Sequence, residues 1–306
     1  MGTVNTGSYP KALVLGVKGW WGSEEDSRHA LIYPQVFEKV TSDQSYEEYV
    51  QTLGAGIAPQ KFEGQGVQYS QMQQGYSTRV TNIAYALGLI FTHEEIMDNK
   101  YPKLAKQRVL GLRDSFRETK EINHANIFNR AFNTSYKGGD GVNLCSVSHV
   151  SALGYTNANK PSVDVDLSEK ALEDMLILMM QAKDDKGFFQ RLSGDKLVIA
   201  PSNAFIAERI LKSIKQPGNA NNDINAIRNM GMLPGGVVIN PYLTAPMAWF
   251  VTSDIRKGEG LITQEREALM LKEDNEYDTM NYKVFGYERY APFWVNFRAV
   301  YGSNGP

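Results

Sequence analysis

The 306-residue chain lacks most features that would mark it as a metal enzyme or a disulfide-stabilised protein. It has one cysteine, Cys145, which excludes an intrachain disulfide and a zinc site built from several cysteines. The segment that begins at His93 reads H-E-E-I-M, so it lacks the second histidine of the H-E-x-x-H zinc motif. The residues therefore offer neither of these two kinds of zinc site.

Long apolar runs and an excess of charge of either sign are also absent. The longest apolar runs, Ala84–Phe91 and Met175–Met180, are far shorter than the roughly 20 residues that cross a bilayer. The formal net charge is −2, so bulk electrostatics give no attraction to nucleic acid. Hydrophobic residues make up 42% and charged residues 22%, which is typical of a folded protein. We expect a folded protein with no membrane partner.

The clearest regular pattern predicts one long helix from Pro102 to Phe132. Apolar side chains recur there every three or four residues, at Ala105, Val109, Leu112 and Phe116, which places them on one helical face. Proline suits the first turn, where its missing N–H would have no partner. At 1.5 Å per residue the helix would be roughly 45 Å long. Since its apolar stripe is narrow, we expect it to lie along the body of the protein.

A basic stripe on this helix has two interpretations. The stripe consists of Lys106, Arg113, Arg117 and Lys120. It is either a solvated face with local pairs such as Arg117–Glu121, or a weak, sequence-independent contact to phosphate. The residues alone favour the solvated face.

The region before the helix predicts an extended arm followed by a hairpin. Residues 1–50 show little periodicity, which indicates an arm or a terminal segment packed on its own domain. Val67–Met72 alternates like a strand, Gln74-Gly75 resembles a turn, and Tyr76–Tyr85 alternates again. An isolated hairpin is marginal in water. We therefore expect a neighbouring subunit to help order it.

The region after the helix predicts a compact α/β unit and then further strands. Ser168 is a candidate N-cap for a helix over the following residues. A strand, a helix and two more strands are predicted at Lys196–Ala200, Asn203–Lys215, Gly236–Asn240 and Met247–Thr252. A last strand is predicted at Pro292–Tyr301, which makes the expected class α+β.

One cluster could carry chemistry. Cys145, His149 and Asp140 lie close in sequence, and a cysteine with a histidine base is one form of activated nucleophile. A lone, buried cysteine is the commoner case. A cytosolic Cys-His hydrolase is therefore kept only as a minor alternative.

The order of the parts, from arm to hairpin to long helix to α/β unit to returning strands, resembles the major capsid protein of tailed bacteriophages. Met247–Asp254 resembles the "AWYL" strand of that family, and Tyr282–Trp294 resembles its closing K-V-x-x-x-G-x-x-x-x-x-W segment. Asn82–Asp98 and Asn143–His149 resemble parts of the Mu-like major head subunit family. The resemblance covers nearly the whole chain, and the order of the parts is what makes it specific.

The resemblance implies an α+β, Hong Kong 97-like fold in five parts. These are an N-arm at 1–50, an E-loop hairpin at 51–91, a P-domain with the long spine helix at 92–165, an A-domain at 166–274 and returning P-domain strands at 275–306.

The resemblance also implies three sets of functional residues. The E-loop set would contact a neighbouring subunit and consists of Lys61, Gln68, Tyr69, Gln74, Gly75, Tyr76 and Arg79. The DNA-facing set on the spine helix would be Lys106, Arg113, Arg117 and Lys120. The axial-loop set would be Pro217, Gly218, Asn219, Asn221 and Asn222.

The implied function is that of a major capsid protein, not an enzyme, that self-assembles through pentamers and hexamers into an icosahedral head around double-stranded phage DNA. The resemblance also implies no metal and no cofactor. DNA would be contacted weakly, and the other implied partners are scaffold, portal and decoration proteins. The implied location is the virion, after assembly in the host bacterial cytoplasm. Some members of the family cross-link lysine to asparagine, but the surroundings of Lys61 lack the acid-and-asparagine context. An encapsulin-like compartment, which has a similar fold and holds enzymes, is the main alternative.

Overall fold

The long helix organises the molecule. The computed structural model describes Trp21 and residues 30–70, 73–92, 94–95, 102–216, 223–276, 278–279 and 281–305. Helix α1 covers Pro102–Asn129, and Val109, Leu112 and Phe116 on its predicted apolar face are buried. It ends three residues before the predicted Phe132, because the Ala131 N–H donates to the Phe128 carbonyl and tightens the last turn. The predicted helix is confirmed.

A first four-stranded sheet packs against α1. Its order is β1 (Glu38–Thr41), β10 (Leu261–Asn275), β11 (Tyr282–Trp294) and β4 (Ile83–Phe91). β1 is parallel to β10, and the other pairs are antiparallel. Burial alternates along most of β11, as expected for a strand with one face turned inward. Gly286 of β11 lets the helix approach closely, because an added Cβ would lie 2.4 Å from the Phe116 ring.

The hairpin is present, but its strands differ from the prediction. β2 (Tyr46–Leu53) pairs antiparallel with β3 (Gln73–Thr81), and 54–70, the described residues of their connection, have no regular structure. The predicted strand at Val67–Met72 and turn at Gln74-Gly75 are therefore wrong. Gly75 lies inside β3, and the partner strand comes from residues that the sequence placed largely in the arm. Residues 67–70 do alternate in sequence, but they pair with no strand in the part of the chain that the structure describes.

A second four-stranded sheet forms the α/β unit. Its order is β12 (Val300–Ser303), β9 (Trp249–Ser253), β7 (Gly194–Ile199) and β8 (Gly236–Ile239). Helices α2 (Glu169–Met180), α3 (Ala204–Lys212) and α4 (Ala226–Met230) belong to the same region. The predicted N-cap is confirmed, since the Ala171 N–H donates to Ser168 Oγ at 3.1 Å. A small pair, β5 (His149–Val150) and β6 (Thr156–Asn157), lies beyond α1.

Strand membership crosses the five-part division at several places, since β1 from the N-arm range and β4 from the E-loop range also belong to the first sheet. β10, most of which was assigned to the A-domain, belongs to the first sheet, and β12 from the returning strands is an edge of the second sheet. The single last strand predicted at Pro292–Tyr301 is interrupted by a 3-10 turn at Phe297–Ala299. Asn296 caps that turn by accepting the Arg298 N–H at 3.1 Å. At this turn the chain leaves β11 of the first sheet and enters β12 of the second sheet.

Candidate functional site

The hairpin limb, defined as residues 46–81, has an exposed end. Every described residue from 54 to 70 is exposed, including the predicted contact residues Lys61 and Gln68. Large apolar side chains share this exposure: Ile57 (77% exposed), Phe62, Val67 and Tyr69 (93%). Two hydrogen bonds close within the segment, from Gly56 N–H to Ser70 Oγ and from Gln65 N–H to the Phe62 carbonyl. Such a surface is typical of a segment that gains its partners elsewhere.

The predicted contact residues on β3 lie nearer the body. The Arg79 guanidinium lies 3.7 Å from the centre of the Tyr46 ring on the facing strand. Gln74 pairs with Thr52 in the ladder and is exposed. Gly75 allows close approach of β2, because an added Cβ would lie 3.1 Å from the Gln51 carbonyl oxygen. These residues stabilise the hairpin itself.

The base of the limb is fixed to the α/β unit by a hydrogen bond to one member of a buried ion pair. Gln51 Nε2 donates to Asp185 Oδ2 at 2.7 Å, and Asp185 Oδ1 lies 3.3 Å from Arg298 Nη2. Arg298 is fully buried, and Asp185 is nearly so. The sequence did not indicate this contact, because its three members lie 113 to 247 positions apart and form no motif.

Other contacts hold the base against the first sheet. Tyr49 Oη donates to Gln264 Oε1 at 3.2 Å, and its ring centre lies 4.8 Å from that of Phe293. Gln264 Nε2 in turn donates to Asn82 Oδ1 at 2.9 Å. Val80 packs in a small buried cluster with Phe293. The limb therefore has a fixed base and an exposed end.

Two of the four predicted DNA-facing residues point inward. Lys120 is buried, with its Nζ 3.2 Å from Glu265 Oε2 and 3.4 Å from Glu288 Oε2. Arg113 is also buried, and its Nη1 donates to the Trp21 carbonyl at 3.2 Å. Burial in these contacts is incompatible with a phosphate contact from an exposed stripe, so that interpretation is wrong for both residues. Their partners lie far away in sequence, which is why no local pattern revealed them.

The carboxylates around Lys120 differ in how they ionise. Burial tends to raise the pKa of Glu265, but hydrogen bonds and charge from Lys39 and Lys120 bring it below its ordinary value. Burial raises the pKa of Glu288, and Lys120 offsets only part of that effect. This network is a structural tie between α1 and the first sheet. The two other basic positions, Lys106 and Arg117, are partly exposed, and the DNA contact stays a prediction for them alone.

The described part of the predicted N-arm lies on α1 of the same chain. The Ile32 N–H donates to Glu121 Oε1 at 2.5 Å, and the Tyr33 ring stacks on His124 with centres 4.2 Å apart. Phe37 packs against the same histidine and against Phe128. This stretch then continues into β1. The other arm residues, 1–20 and 22–29, lie outside the described residues.

The predicted axial loop cannot be placed. All five of its positions fall within 217–222, outside the described residues. Lys215 and Ile224, which flank the loop, form an antiparallel bridge. The side chains of Ile214 and Ile224 beside that bridge are largely exposed. The axial assignment stays a prediction.

The geometry gives no support to the Cys-His hydrolase. Cys145 is buried in the apolar cluster around Phe128 and Phe250, and burial strongly raises the pKa of its thiol. His149 is fully buried, and its two ring nitrogens lie 2.5 Å from Asp140 Oδ2 and 3.1 Å from Asn159 Oδ1. A thiol that resists ionisation and an imidazole whose two nitrogens are already engaged do not make an activated nucleophile.

The described part of the chain offers neither a metal site nor a membrane span. Among the described residues, no group of histidine, cysteine, aspartate and glutamate side chains could hold a metal ion. The described helices include none that is long and apolar enough to cross a membrane.

Comparison with known proteins identifies the architecture. A family model described as phage capsid protein matches residues 75–303. No curated protein matches the chain. The capsid of cyanophage P-SCSP1u aligns over 90% of this chain and 88% of its own, with 9% identity and a TM-score of 0.59.

Two further solved structures share the fold. The capsid of Myoviridae phage XM1 aligns over 94% of this chain and 95% of its own, with 12% identity and a TM-score of 0.52. A virus-like particle from Pyrococcus furiosus aligns over 96% and 99%, with 11% identity and a TM-score of 0.52. Identities this low concern the fold alone, and the expected Hong Kong 97-like class is confirmed.

Proposed function

The chain belongs to the phage capsid protein family, and we propose that its copies assemble through pentamers and hexamers into an icosahedral head around double-stranded phage DNA. The chain is a structural shell protein and a component of the virion capsid. We further propose assembly in the host bacterial cytoplasm, with scaffold, portal and decoration proteins as partners. Membership of the Mu-like subfamily is part of the same proposal.

The observation that carries the assembly proposal is the exposed end of the hairpin limb. Ile57, Phe62, Val67 and Tyr69 are large apolar side chains on one exposed segment. Burying them against a neighbour would contribute roughly 5 kcal/mol or more per subunit, before the cost of ordering the segment. In a closed symmetric shell the same contact is repeated for every copy. The limb is therefore proposed as the main intersubunit contact.

Weak contact with DNA is proposed on electrostatic grounds. A formal charge of −2 gives the chain no bulk attraction to a polyanion. Lys106 and Arg117 are the positions kept for phosphate contact, and such contacts weaken as salt rises. Weak contact at a few positions, without bulk attraction, suits a container from which the DNA must later leave.

The deciding experiment shortens the limb without removing its strands. Residues 55–69 are replaced by a short Asn-Gly turn, so that β2 and β3 still pair. The expected product is a folded, soluble subunit with an unchanged circular dichroism spectrum and no shells in electron micrographs. A matched control replaces only Gln60 with alanine and should form normal shells. Normal shells from the shortened chain would contradict the proposal.

The contents of purified particles separate a phage head from an encapsulin-like compartment. After nuclease treatment of the exterior, a head isolated from infected cells should hold double-stranded DNA of uniform length. Particles that hold a defined protein cargo and no DNA would support the compartment instead.

A further inference from the structure

Strand β2 of the hairpin limb has a free edge. It pairs with β3 on one side, and in the described part of the chain it pairs with no strand on the other. Backbone groups on that side therefore have no partner in a ladder. Such an edge is a template for strand addition, in which an extended segment supplies the missing hydrogen bonds.

A cleft of about 630 Å³ lies between this edge and the body of the protein. On the limb side it is lined by Tyr49, Val50, Gln51, Leu53 and Gly54, and by no described residue of β3. Successive side chains point to opposite faces of a strand, so one face alone would contribute only alternate residues. Because neighbouring residues of β2 line the cleft together, it borders the edge of the strand.

The body side of the cleft carries free positive charge. Lys186, Arg191 and Arg256 line it, and within the part of the chain that the structure describes their side chains have no hydrogen bond or ion pair. Arg191 has a φ of 56°, in the left-handed region that residues with a side chain seldom adopt. Strain of this kind is commonest at functional sites. Three carboxylates of the cleft are already engaged by donors of this chain: Asp184, Asp185 and Asp254.

Residues 65–70 have the pattern of a strand but no facing strand. Val67 and Tyr69 alternate with Gln68 and Ser70, and valine and tyrosine favour strands. The segment pairs with no strand among the described residues, and both apolar side chains are largely exposed. The limb thus has a strand edge without a partner at its base and a strand pattern without a partner at its end.

Charge complements this match. The exposed end of the limb carries one carboxylate, Glu63, and one amine, Lys61, and neither has an ion pair with a described residue. Glu259 in the cleft is likewise unpaired within the described part of the chain. Glu63 can therefore meet one of the three cations, and Lys61 can meet Glu259. Opposite charges on two surfaces favour one partner and one orientation.

The same copy cannot supply an antiparallel strand to this edge. β3 begins with Gln73, opposite Leu53. An antiparallel strand along the cleft would end beside Tyr49, four positions before Leu53 and so about 13 Å from the level of Gln73. Ser70 lies three positions before Gln73, and three positions of chain span at most about 11 Å. The strand must come from a second copy.

We propose that residues 65–70 of one copy add to the free edge of β2 in a neighbouring copy as a third, antiparallel strand. Val67 and Tyr69 then enter the cleft beside Phe189, which lines it and is largely exposed. The inference rests on the proposed function, because it names the surface of the neighbour that the limb contacts.

The orientation of the added strand agrees with a closed assembly. When 65–70 is extended, it runs in the same direction as β3, which follows it directly. Antiparallel addition to β2 therefore makes the limbs of the two copies point the same way. Such a head-to-tail contact joins two different surfaces, and it closes into a ring when the rotation between copies allows it.

Cross-linking of two single-cysteine variants tests the contact between copies. The native cysteine, Cys145, is buried, whereas Val50 and Gln68 are exposed. By alternation, Gln68 in the added strand lies on the same face as Val50, away from the cleft. Val50→Cys copies assembled with Gln68→Cys copies should form a disulfide-linked dimer under mild oxidation. A register shifted by two residues would move the link to Gly66→Cys or Ser70→Cys.

The matched control is Gln60→Cys, a glutamine in the same exposed segment but outside the proposed strand. It should give no dimer with Val50→Cys. The absence of a link from all three even-numbered positions, 66, 68 and 70, would overturn the inference. A link from position 60 as strong as the best of these three would overturn it as well.

Hydrogen exchange of wild-type particles provides a second readout. Amides in β2 and in 65–70 should both exchange about fivefold or more slowly in particles than in unassembled subunits, because strand addition gives each segment new hydrogen bonds. A contact through side chains alone would leave β2 unchanged. Particles that form without this protection would overturn the inference and leave the proposed function intact. A wild-type chain that forms no particles would overturn the proposed function, and the contact with it.

Discussion

The hairpin limb and the second sheet are built in opposite ways. In the second sheet, Leu197, Trp249 and Val251 are fully buried within one chain, and apolar contacts hold the strands. The limb has two strands, an exposed end and a base held by polar contacts such as Gln51 with Asp185. A two-stranded element of this kind is marginal alone. The comparison indicates that stability resides in the sheets, whereas the limb supplies surface for a neighbour.

The largest expected effect is on the second sheet. Leu197→Ala should lower the free energy of unfolding by about 2–5 kcal/mol, because it removes buried apolar contacts and leaves a cavity. Urea denaturation of unassembled subunits measures the change. Ile239→Ala is the matched control, since that side chain is about half exposed and should cost far less. Equal losses from the two variants would contradict the assignment of stability to this core.

Acid should lower the free energy of unfolding of the subunit through His124. Burial lowers the pKa of this histidine from 6.5 to about 4, so the unfolded chain takes up a proton that the folded chain does not. The free energy of unfolding should therefore fall as pH is lowered from about 6.5 to about 4, by up to roughly 3 kcal/mol. Denaturation at several pH values measures the slope.

A comparison with His124→Gln isolates that contribution. The pKa values of Glu121 and Glu288 are raised by burial, so these carboxylates act in the opposite direction in acid. Both carboxylates are present in the wild type and in the variant. A difference between the two proteins in the pH dependence of the free energy of unfolding is therefore due to His124. An unchanged slope in the variant would show that another group is responsible.

A smaller effect is expected at the base of the limb. Gln51→Ala removes one donor to Asp185 but leaves the pair with Arg298, so local opening of β2 should become easier by about 1 kcal/mol. Hydrogen exchange of β2 measures it, while the midpoint of global unfolding should stay unchanged. Gln60→Ala, in the exposed segment, is the control. If the global midpoint fell as well, the limb and the body would be one cooperative unit.

The smallest effect on stability is expected at the exposed end. Phe62→Ser should change the free energy of unfolding of the unassembled subunit by less than about 0.5 kcal/mol, because the ring is largely exposed. The yield of shells should nevertheless fall, as counted in electron micrographs. Gln60→Ser should alter neither quantity. A large loss of stability from Phe62→Ser would place this ring in the core of the subunit.

Short sequence patterns predicted the helices and strands whose contacts or burial can be read from near neighbours in sequence. The period of Val109, Leu112 and Phe116 identified the long helix, and Ser168 identified the start of α2, because helical contacts join near neighbours in sequence. The strands of the α/β unit were found for a similar reason, since buried apolar runs are visible in short windows.

Contacts between distant residues were not predictable in this way. β2 was missed because its partner is chosen by register with β3, across a connection of 19 residues. The burial of Lys120 depends on carboxylates 145 and 168 positions away. The orientation of the His149 ring likewise depends on Asn159, in a loop with no recognisable motif. Each of these features is a property of the folded chain.

The pairing of early strands with late ones also affects how the subunit is made. β1 pairs with residues 262–265, and β4 pairs with residues 282–290, so both strands that flank the limb depend on partners from the last sixth of the chain. During translation these partners leave the ribosome near the end of synthesis. We therefore expect a growing chain to be unable to join a shell until nearly all of it has been made, which would spare nascent polysomes from being drawn into premature particles.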